Sequence, residues 1–113
     1  MTAPVDLTNL RSMTDGDSEM ERELFAEFKN TFVSGIDQMT EATSTTAADV
    51  WASAAHALKG VALNLGAGHL SDLCKQAQDD KDSPHIHKSA LLEAITAEYN
   101  KVQNYLDDVT SLG

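Results

Sequence analysis

Apolar residues recur every three or four positions along most of the chain, which is the spacing of amphipathic helices. Long alternations of apolar and polar residues, which are typical of half-buried strands, are nearly absent. Five segments show the helical spacing, a short first one and four longer ones. Their apolar stripes are Val5, Leu7, Leu10 and Met13; Leu24, Phe25, Phe28, Phe32, Ile36 and Met39; Trp51, Ala54, Leu58, Val61 and Leu65; Leu70, Leu73, Cys74 and Ala77; and Leu91, Ile95, Val102, Tyr105 or Leu106, and Val109.

Capping and turn residues separate these five segments. The segments are expected to end at the turn signal Thr14-Asp15-Gly16, at the β-branched and small run 43–46, at the helix-closing glycines Gly66 and Gly68, and at the acidic run 79–82. The starts are indicated by the capping-box spacing of Ser18 and Glu21, by a capping residue between Thr46 and Asp49, and by the helix-starting pair Ser83-Pro84. Short loops between amphipathic helices favour antiparallel neighbours. The sequence therefore predicts an all-α protein, an antiparallel up-and-down four-helix bundle with a short additional N-terminal helix.

Length and charge limit the classes of function. The 113 residues fit one domain, spanning 1–113. The chain has 18 acidic and 8 basic residues and a net charge of -10. It therefore lacks the basic surface that binding to nucleic acid or to an anionic membrane requires. Its single cysteine, Cys74, excludes an internal disulfide and a cysteine-based zinc site.

The cellular setting follows from what the sequence lacks. No apolar run reaches the length of a membrane span, and the N-terminus shows no signal peptide, so we expect a cytoplasmic protein. The initial Met and the short termini favour a free-standing chain. Nothing in the sequence demands a dimer, and we expect a monomer.

One histidine lies on the wrong face of its helix to belong to the core. At about 100° per residue, with Trp51 at zero, the core stripe of the third segment centres near roughly -30° and His56 falls at about 140°. His56 is therefore predicted to face outward from a helix whose other face is buried. This geometry disfavours the common alternative, a buried histidine satisfied by hydrogen bonds.

Small residues surround His56 on the predicted helix. Side chains lean toward the helix N-terminus, so the imidazole leans over Ala52 and Ser53, while the residue one turn later is Gly60. A glycine inside a helix costs roughly 0.5–1 kcal/mol relative to alanine. That cost is understandable if a bulky group must approach the imidazole, and the outward Leu63 then belongs to a docking surface.

Polar side chains near His56 suggest how the ring is held and what it meets. Lys59 lies three residues on, where its ammonium reaches an anion attached to the imidazole. If the turn after the third helix centres at Ala67, the antiparallel partner of His56 is Gln78. Its amide would bind one ring nitrogen and leave the other free as a nucleophile. Lys75, one turn before Gln78, would add a second positive charge.

These residues form a recognisable signature. The run His56-Ala57-Leu58-Lys59-Gly60 followed by Asn64-Leu65-Gly66-Ala67 resembles the motif of histidine-containing phosphotransfer (HPt) domains, specifically over residues 49–78. The resemblance implies a helical bundle in which His56 is phosphorylated, Lys59 steadies the phosphoryl group, Gly60 keeps access clear and Gln78 orients the ring. The run Val61-Ala62-Leu63 departs from the family, which often has smaller or polar residues there.

The resemblance also implies the reaction and the partners. His56 would accept a phosphoryl group, through Nε2, from the aspartyl phosphate of a receiver domain and pass it to another receiver. The expected partners are response-regulator receiver domains and hybrid sensor histidine kinases. The chain has no phosphate-binding loop of the G-x-x-x-x-G-K-[ST] type, so we expect a carrier without kinase activity of its own. No cofactor is expected, and the metal ion of the reaction would sit on the receiver.

Three alternatives remain to be weighed. An HPt-like adaptor would bind receiver or kinase domains without carrying phosphate, although the intact acceptor site argues against it. An acyl-carrier protein needs Asp-Ser-Leu at a helix start, whereas the order here is Leu70-Ser71-Asp72-Leu73. A metal-binding bundle needs Glu-x-x-His pairs, and none of the four histidines has one. His85 and His87 are expected to be exposed residues at a helix start, and His69 to decorate a turn.

Overall fold

The helices of the protein follow the predicted segments closely. A computed structural model describes residues 4–43 and 48–112. Its helices are α1 (Thr8–Thr14), α2 (Ser18–Thr43), α3 (Ala48–Leu65), α4 (Gly68–Asp79) and α5 (His85–Leu112). The described residues contain no strand, and the prediction of an all-α protein is confirmed.

The four longer helices close into a ring of neighbours. α2 packs against α3, α3 against α4, α4 against α5, and α5 back against α2, while the short α1 lies on α2. This is the predicted antiparallel up-and-down four-helix bundle with a short additional helix. None of the helices in the described part of the chain has both the length and the apolarity that crossing a membrane requires.

The bundle core contains the large apolar side chains of all four helices. The largest fully buried side chains are Trp51, Phe32, Met39, Leu58, Leu70, Ile95, Leu106, Val102 and Cys74. An aromatic cluster joins α2 to α5, since the Phe32 and Tyr99 rings stack with their centroids 5.0 Å apart. Tyr99 is absent from the predicted stripe, although it lies four residues after Ile95 and three before Val102 and therefore fits the helical spacing.

One predicted core position is wrong, and another lies at the edge of the core. Met13 on α1 is 69% exposed, because the last turn of α1 directs its neighbour Thr14, which is buried and bonds to Glu21, toward α2. On α3, Val61 is only half-buried while Ala62 is fully buried. The interior face of α3 is therefore rotated toward its small residues, Ala55 and Ala62, which allow a neighbouring helix to come close.

A glycine sets the distance between α2 and α3. A Cβ at Gly35 would lie 2.5 Å from Cδ2 of Leu58, so only a glycine lets the two helices approach this closely. Leu58 belongs to the buried face of α3, and its side chain fills the space that the missing Cβ of Gly35 leaves on α2. Sequence analysis did not single out Gly35.

The helix boundaries agree with the predictions except at two positions. α2 is capped by Asp17, whose Oδ1 accepts hydrogen bonds from the N–H groups of Glu19 and Met20, at 3.0 and 3.1 Å. Ser18 is the first residue of the helix and not its cap, because an aspartate one residue earlier occupies that role. Likewise Gly68 does not close α3 but begins α4.

The turn between α3 and α4 depends on Gly66. This residue has φ +96, in the left-handed region that favours glycine, as predicted for a helix-closing residue. Its carbonyl also accepts a hydrogen bond of 2.9 Å from the N–H of Asp6, so the N-terminal segment crosses over the turn. The predicted break at 43–46 begins at the last residue of α2, Thr43, and otherwise lies outside the described residues.

Candidate functional site

The imidazole of His56 is exposed on the surface of α3. The opposite face of the helix is buried and consists of Trp51, Ala54, Ala55, Leu58, Ala62 and Leu65. For His56 to enter the core, α3 would have to rotate about its axis and expose these buried side chains to water. Burial of one face therefore keeps His56 on the outside. The ring is thus presented to solvent on a fixed scaffold.

The neighbouring helix supplies one contact to the ring. Nδ1 of His56 lies 3.4 Å from Oε1 of Gln78, which belongs to the last turn of α4 and is half-buried. A carbonyl oxygen can only accept a hydrogen bond, so this contact favours the ring form with its proton on Nδ1. Nε2 then carries the lone pair.

Open space lies beside the imidazole. A Cβ built at Gly60 would have no other atom within 4 Å, apart from its own helix, so this part of the surface is empty and not packed against another helix. The glycine is therefore unnecessary for packing. The side chain of Lys59 is half-buried, and no carboxylate among the described residues forms an ion pair with it. Its ammonium is available to an anion that comes close to His56.

The four residues expected to contact a partner lie on α3 and α4, and none of them is buried. Ser53 and Lys75 are exposed, Ala52 is half-buried, and Leu63 is 64% exposed, although leucine is usually buried. Ala52, Ser53 and Leu63 lie on α3 within two turns of His56, and Lys75 lies on α4 one turn before Gln78. The arrangement combines an open approach, positive charge and one apolar side chain.

Two side chains that sequence analysis left outside the site connect α3 to α4. The indole Nε1 of Trp51 donates a hydrogen bond of 2.7 Å to the carbonyl of Ala77, and Oγ of Ser71 donates one of 3.2 Å to the carbonyl of Lys59. Both acceptors belong to the backbone and carry no sequence signal. The sequence did place Trp51 in the core, and the N–H of a buried tryptophan needs a hydrogen-bond acceptor, which indicates a bond but not its partner.

The remaining histidines are exposed, and two of them make polar contacts. His85 begins α5, is exposed, and its Nδ1 lies within hydrogen-bonding distance of the carbonyl of Thr43. Nε2 of His87 lies 2.9 Å from Oδ2 of Asp80, and His69 is exposed near the start of α4. Within the described residues, no group of three or more histidine, cysteine or acidic side chains is arranged to hold a metal ion.

The fold and the site together define a class of protein, a helical bundle that presents the imidazole of His56 on the surface of α3 beside Gln78 of α4. A family model described as Hpt domain matches residues 23–109. The chain therefore belongs to the Hpt domain family. Searches of curated proteins and of solved structures found no match.

Membership gives the general role of the protein. Hpt domains are phosphocarrier modules rather than kinases, and they act in histidine phosphotransfer within two-component phosphorelays. They interact with receiver domains and with kinases. The match covers α3, α4 and most of α2 and α5, and so includes all residues of the surface described above.

Proposed function

We propose that His56 is the residue that carries the phosphoryl group. It accepts this group from the aspartyl phosphate of a receiver domain and passes it to a second receiver domain. The observation that supports this proposal is the environment of the exposed ring, in which Nδ1 contacts a carbonyl oxygen, Nε2 has no hydrogen-bond partner among the described residues, and Gly60 one turn later leaves open space. No other histidine among the described residues combines these features.

The transfer begins with the lone pair of Nε2. This nitrogen attacks the phosphorus in line, a P–N bond forms, and the bond between phosphorus and the aspartyl oxygen breaks. The electron pair of that bond leaves with the carboxylate of the receiver. Positive charge develops on the ring, and the Nδ1 proton that shares it donates a hydrogen bond to Oε1 of Gln78.

The positively charged side chains act on the transferring group. Charge in the transition state is spread over the three equatorial oxygens of the phosphoryl group. The ammonium of Lys59 stabilises this charge, and Lys75 adds a weaker contribution from α4. Reversal of the same steps returns the phosphoryl group to a receiver, so one site serves both directions.

The partner contacts this surface with the rim of its phosphorylation site. Gly60, Ala52 and Ser53 leave room for the receiver backbone, and Leu63 supplies an apolar contact beside the reacting atoms. Hybrid sensor kinases reach the same surface through their receiver domains. The chain works as a monomer in the cytoplasm and needs no cofactor.

The test is a transfer assay with a panel of receiver domains that carry radioactive phosphate. We expect the chain to take up label that is stable to base and labile to acid, as a phosphoramidate is, with mass spectrometry locating it on His56. His56→Gln should fold normally and take up no label, and incubation with ATP alone should label neither protein.

Two results would contradict the proposal. Label that persists in His56→Gln would identify another acceptor. Binding of receiver domains without any transfer of label would favour the alternative, an adaptor that carries no phosphate. Several receiver domains are tested because a single one could fail to transfer label only because it is not a partner of this protein.

A further inference from the structure

Trp51 is fully buried near the site, and residues of two other helices hold its ring. Its side chain is 0% exposed, and Nε1 donates a hydrogen bond of 2.7 Å to the carbonyl of Ala77 on α4. On the α5 side, the ammonium of Lys88 lies 5.4 Å from the centre of the indole ring, in a cation–π contact, and Lys88 itself is only 6% exposed. Trp51 therefore has little freedom to move.

The acceptor of this bond is a carbonyl at the end of a helix. The last four carbonyls of a helix have no partner within it. α4 ends at Asp79, and Ala77 belongs to its final turn. The N–H of Asp80 bonds to the carbonyl of Gln76, at 3.0 Å, which leaves the next carbonyl to the indole. Trp51 thus caps α4 from the side, through a residue of another helix.

The capped carbonyl lies directly before the residue that contacts His56. Final turns of helices fray because their backbone groups lack partners. Gln78 lies in that turn, and its Oε1 is 3.4 Å from Nδ1 of His56, near the upper limit for a hydrogen bond. A shift of the turn by a few tenths of an ångström is enough to lose the contact.

A second bond fixes the other end of α4. Oγ of Ser71, in the first turn, donates to the carbonyl of Lys59 on α3, at 3.2 Å, and Ser71 is buried. With Ser71 at one end and Trp51 at the other, α4 cannot slide along α3. The register that brings Gln78 opposite His56 is therefore set by two side-chain bonds to backbone carbonyls.

We propose that Trp51 is a positioning residue for phosphoryl transfer, which holds the last turn of α4 so that Gln78 keeps the proton of the His56 ring on Nδ1. The expected effect on phosphoryl transfer rests on the proposed function of His56. The position of the ring proton can be measured without any transfer. Trp51 itself touches neither the phosphoryl group nor the imidazole.

The test uses Trp51→Phe, which keeps an aromatic ring and removes the N–H. The imidazole of His56 is observed by ¹⁵N NMR near pH 8, where both ring nitrogens report the location of the proton. We expect the Trp51→Phe signals to move from the wild-type values toward those of Gln78→Ala. The rate of transfer should fall several-fold, and Trp51→Phe should add nothing further in a Gln78→Ala background.

A core variant separates positioning from general destabilisation. Val102→Ala removes buried volume on α5 without touching either bond, and its imidazole signals should stay at the wild-type values. If Trp51→Phe folds poorly, replacement of Trp51 by benzothienylalanine keeps the bicyclic shape and still lacks the N–H.

The outcomes distinguish this inference from the proposed function. Unchanged imidazole signals in a folded variant without the indole N–H would overturn the positioning role, whatever the transfer assay shows. An equal movement of the signals in Val102→Ala would do the same. A wild-type chain that takes no phosphate, yet shows the expected NMR shifts, would instead overturn the role of His56 as acceptor.

Discussion

Nδ1 of His56 and Oε1 of Gln78 lie 3.4 Å apart across the interface of α3 and α4, although 22 positions separate the two residues in the chain. The contact gives the two ring nitrogens different protonation states. Nδ1, which lies beside the carbonyl oxygen, holds the proton, and Nε2 is left with its lone pair. The resting protein therefore already distinguishes the two nitrogens of the ring.

Removal of the amide should weaken transfer without abolishing it. We expect Gln78→Ala to lower the rate of transfer, or the lifetime of the phosphohistidine, by about 2- to 10-fold, since one hydrogen bond contributes about 0.5–1.5 kcal/mol. Stopped-flow or rapid-quench transfer assays measure the rate. Gln76→Ala, an exposed position on the same helix, is the control and should behave as wild type. Unchanged rate and lifetime in Gln78→Ala would show that the contact does not orient the ring.

The open space at Gly60 leads to a prediction about access. Gly60→Gln should fold with full helicity, because a side chain there meets no other atom of the protein and glutamine favours helices more than glycine does. Transfer should nevertheless slow, because the longer side chain occupies the path of the receiver. Circular dichroism reports the helicity and the transfer assay reports the rate.

A second glycine provides a matched control for this variant. Gly68 begins α4, and a Cβ added there would also meet open space, but this residue lies at the far end of the α3–α4 turn. Gly68→Gln should transfer phosphate at the wild-type rate. Equal rates for both variants would mean that the open surface at Gly60 has no part in access.

Lys59 should matter through its charge. Lys59→Ala is expected to slow transfer by about one order of magnitude. This loss is smaller than in an enclosed active site, because water and salt partly screen the charge of a half-buried side chain at the surface. Lys59→Arg should recover part of the rate. Lys29→Ala removes an exposed lysine from α2 and serves as the control for net charge. A Lys59→Ala variant as fast as Lys29→Ala would exclude a contact between this ammonium and the phosphoryl group.

Local periodicity accounts for the features that sequence analysis predicted well. The helix count and the outward direction of His56 follow from apolar spacing, which depends only on residues within the same helix. The contact between His56 and Gln78 required one more assumption, that α3 and α4 form a symmetric hairpin about Ala67. That assumption succeeded because the connecting turn is short, with α3 ending at Leu65 and α4 beginning at Gly68.

Features that depend on the packing between helices could not be read from the sequence. The burial of Ala62 in place of Val61 reflects how closely neighbouring helices approach α3, and the sequence does not give that distance. The Gly35–Leu58 contact and the burial of Lys88 over Trp51 have the same origin. The bond from Trp51 to Ala77 ends on a backbone carbonyl, a group that every residue has.

Cys74 gives a prediction about stability at alkaline pH. Burial raises the pKa of its thiol from 9.0 to about 12, because a thiolate in the core would lose its hydration. Between these two values the unfolded chain has lost the thiol proton and the folded protein still holds it. The unfolded state therefore binds fewer protons, and the free energy of unfolding falls as the pH rises through this range.

The contribution of Cys74 can be isolated by comparing two chains. The free energy of unfolding of the wild type, from urea titrations between pH 8 and pH 11, should decline more steeply than that of Cys74→Ala, by up to about 1.4 kcal/mol per pH unit. Burial and the charge of Asp107 also raise the pKa of Tyr99, and that effect is common to both chains and cancels in the comparison. Parallel pH profiles for the two chains would show that the thiol ionises as easily in the folded core as in the unfolded chain.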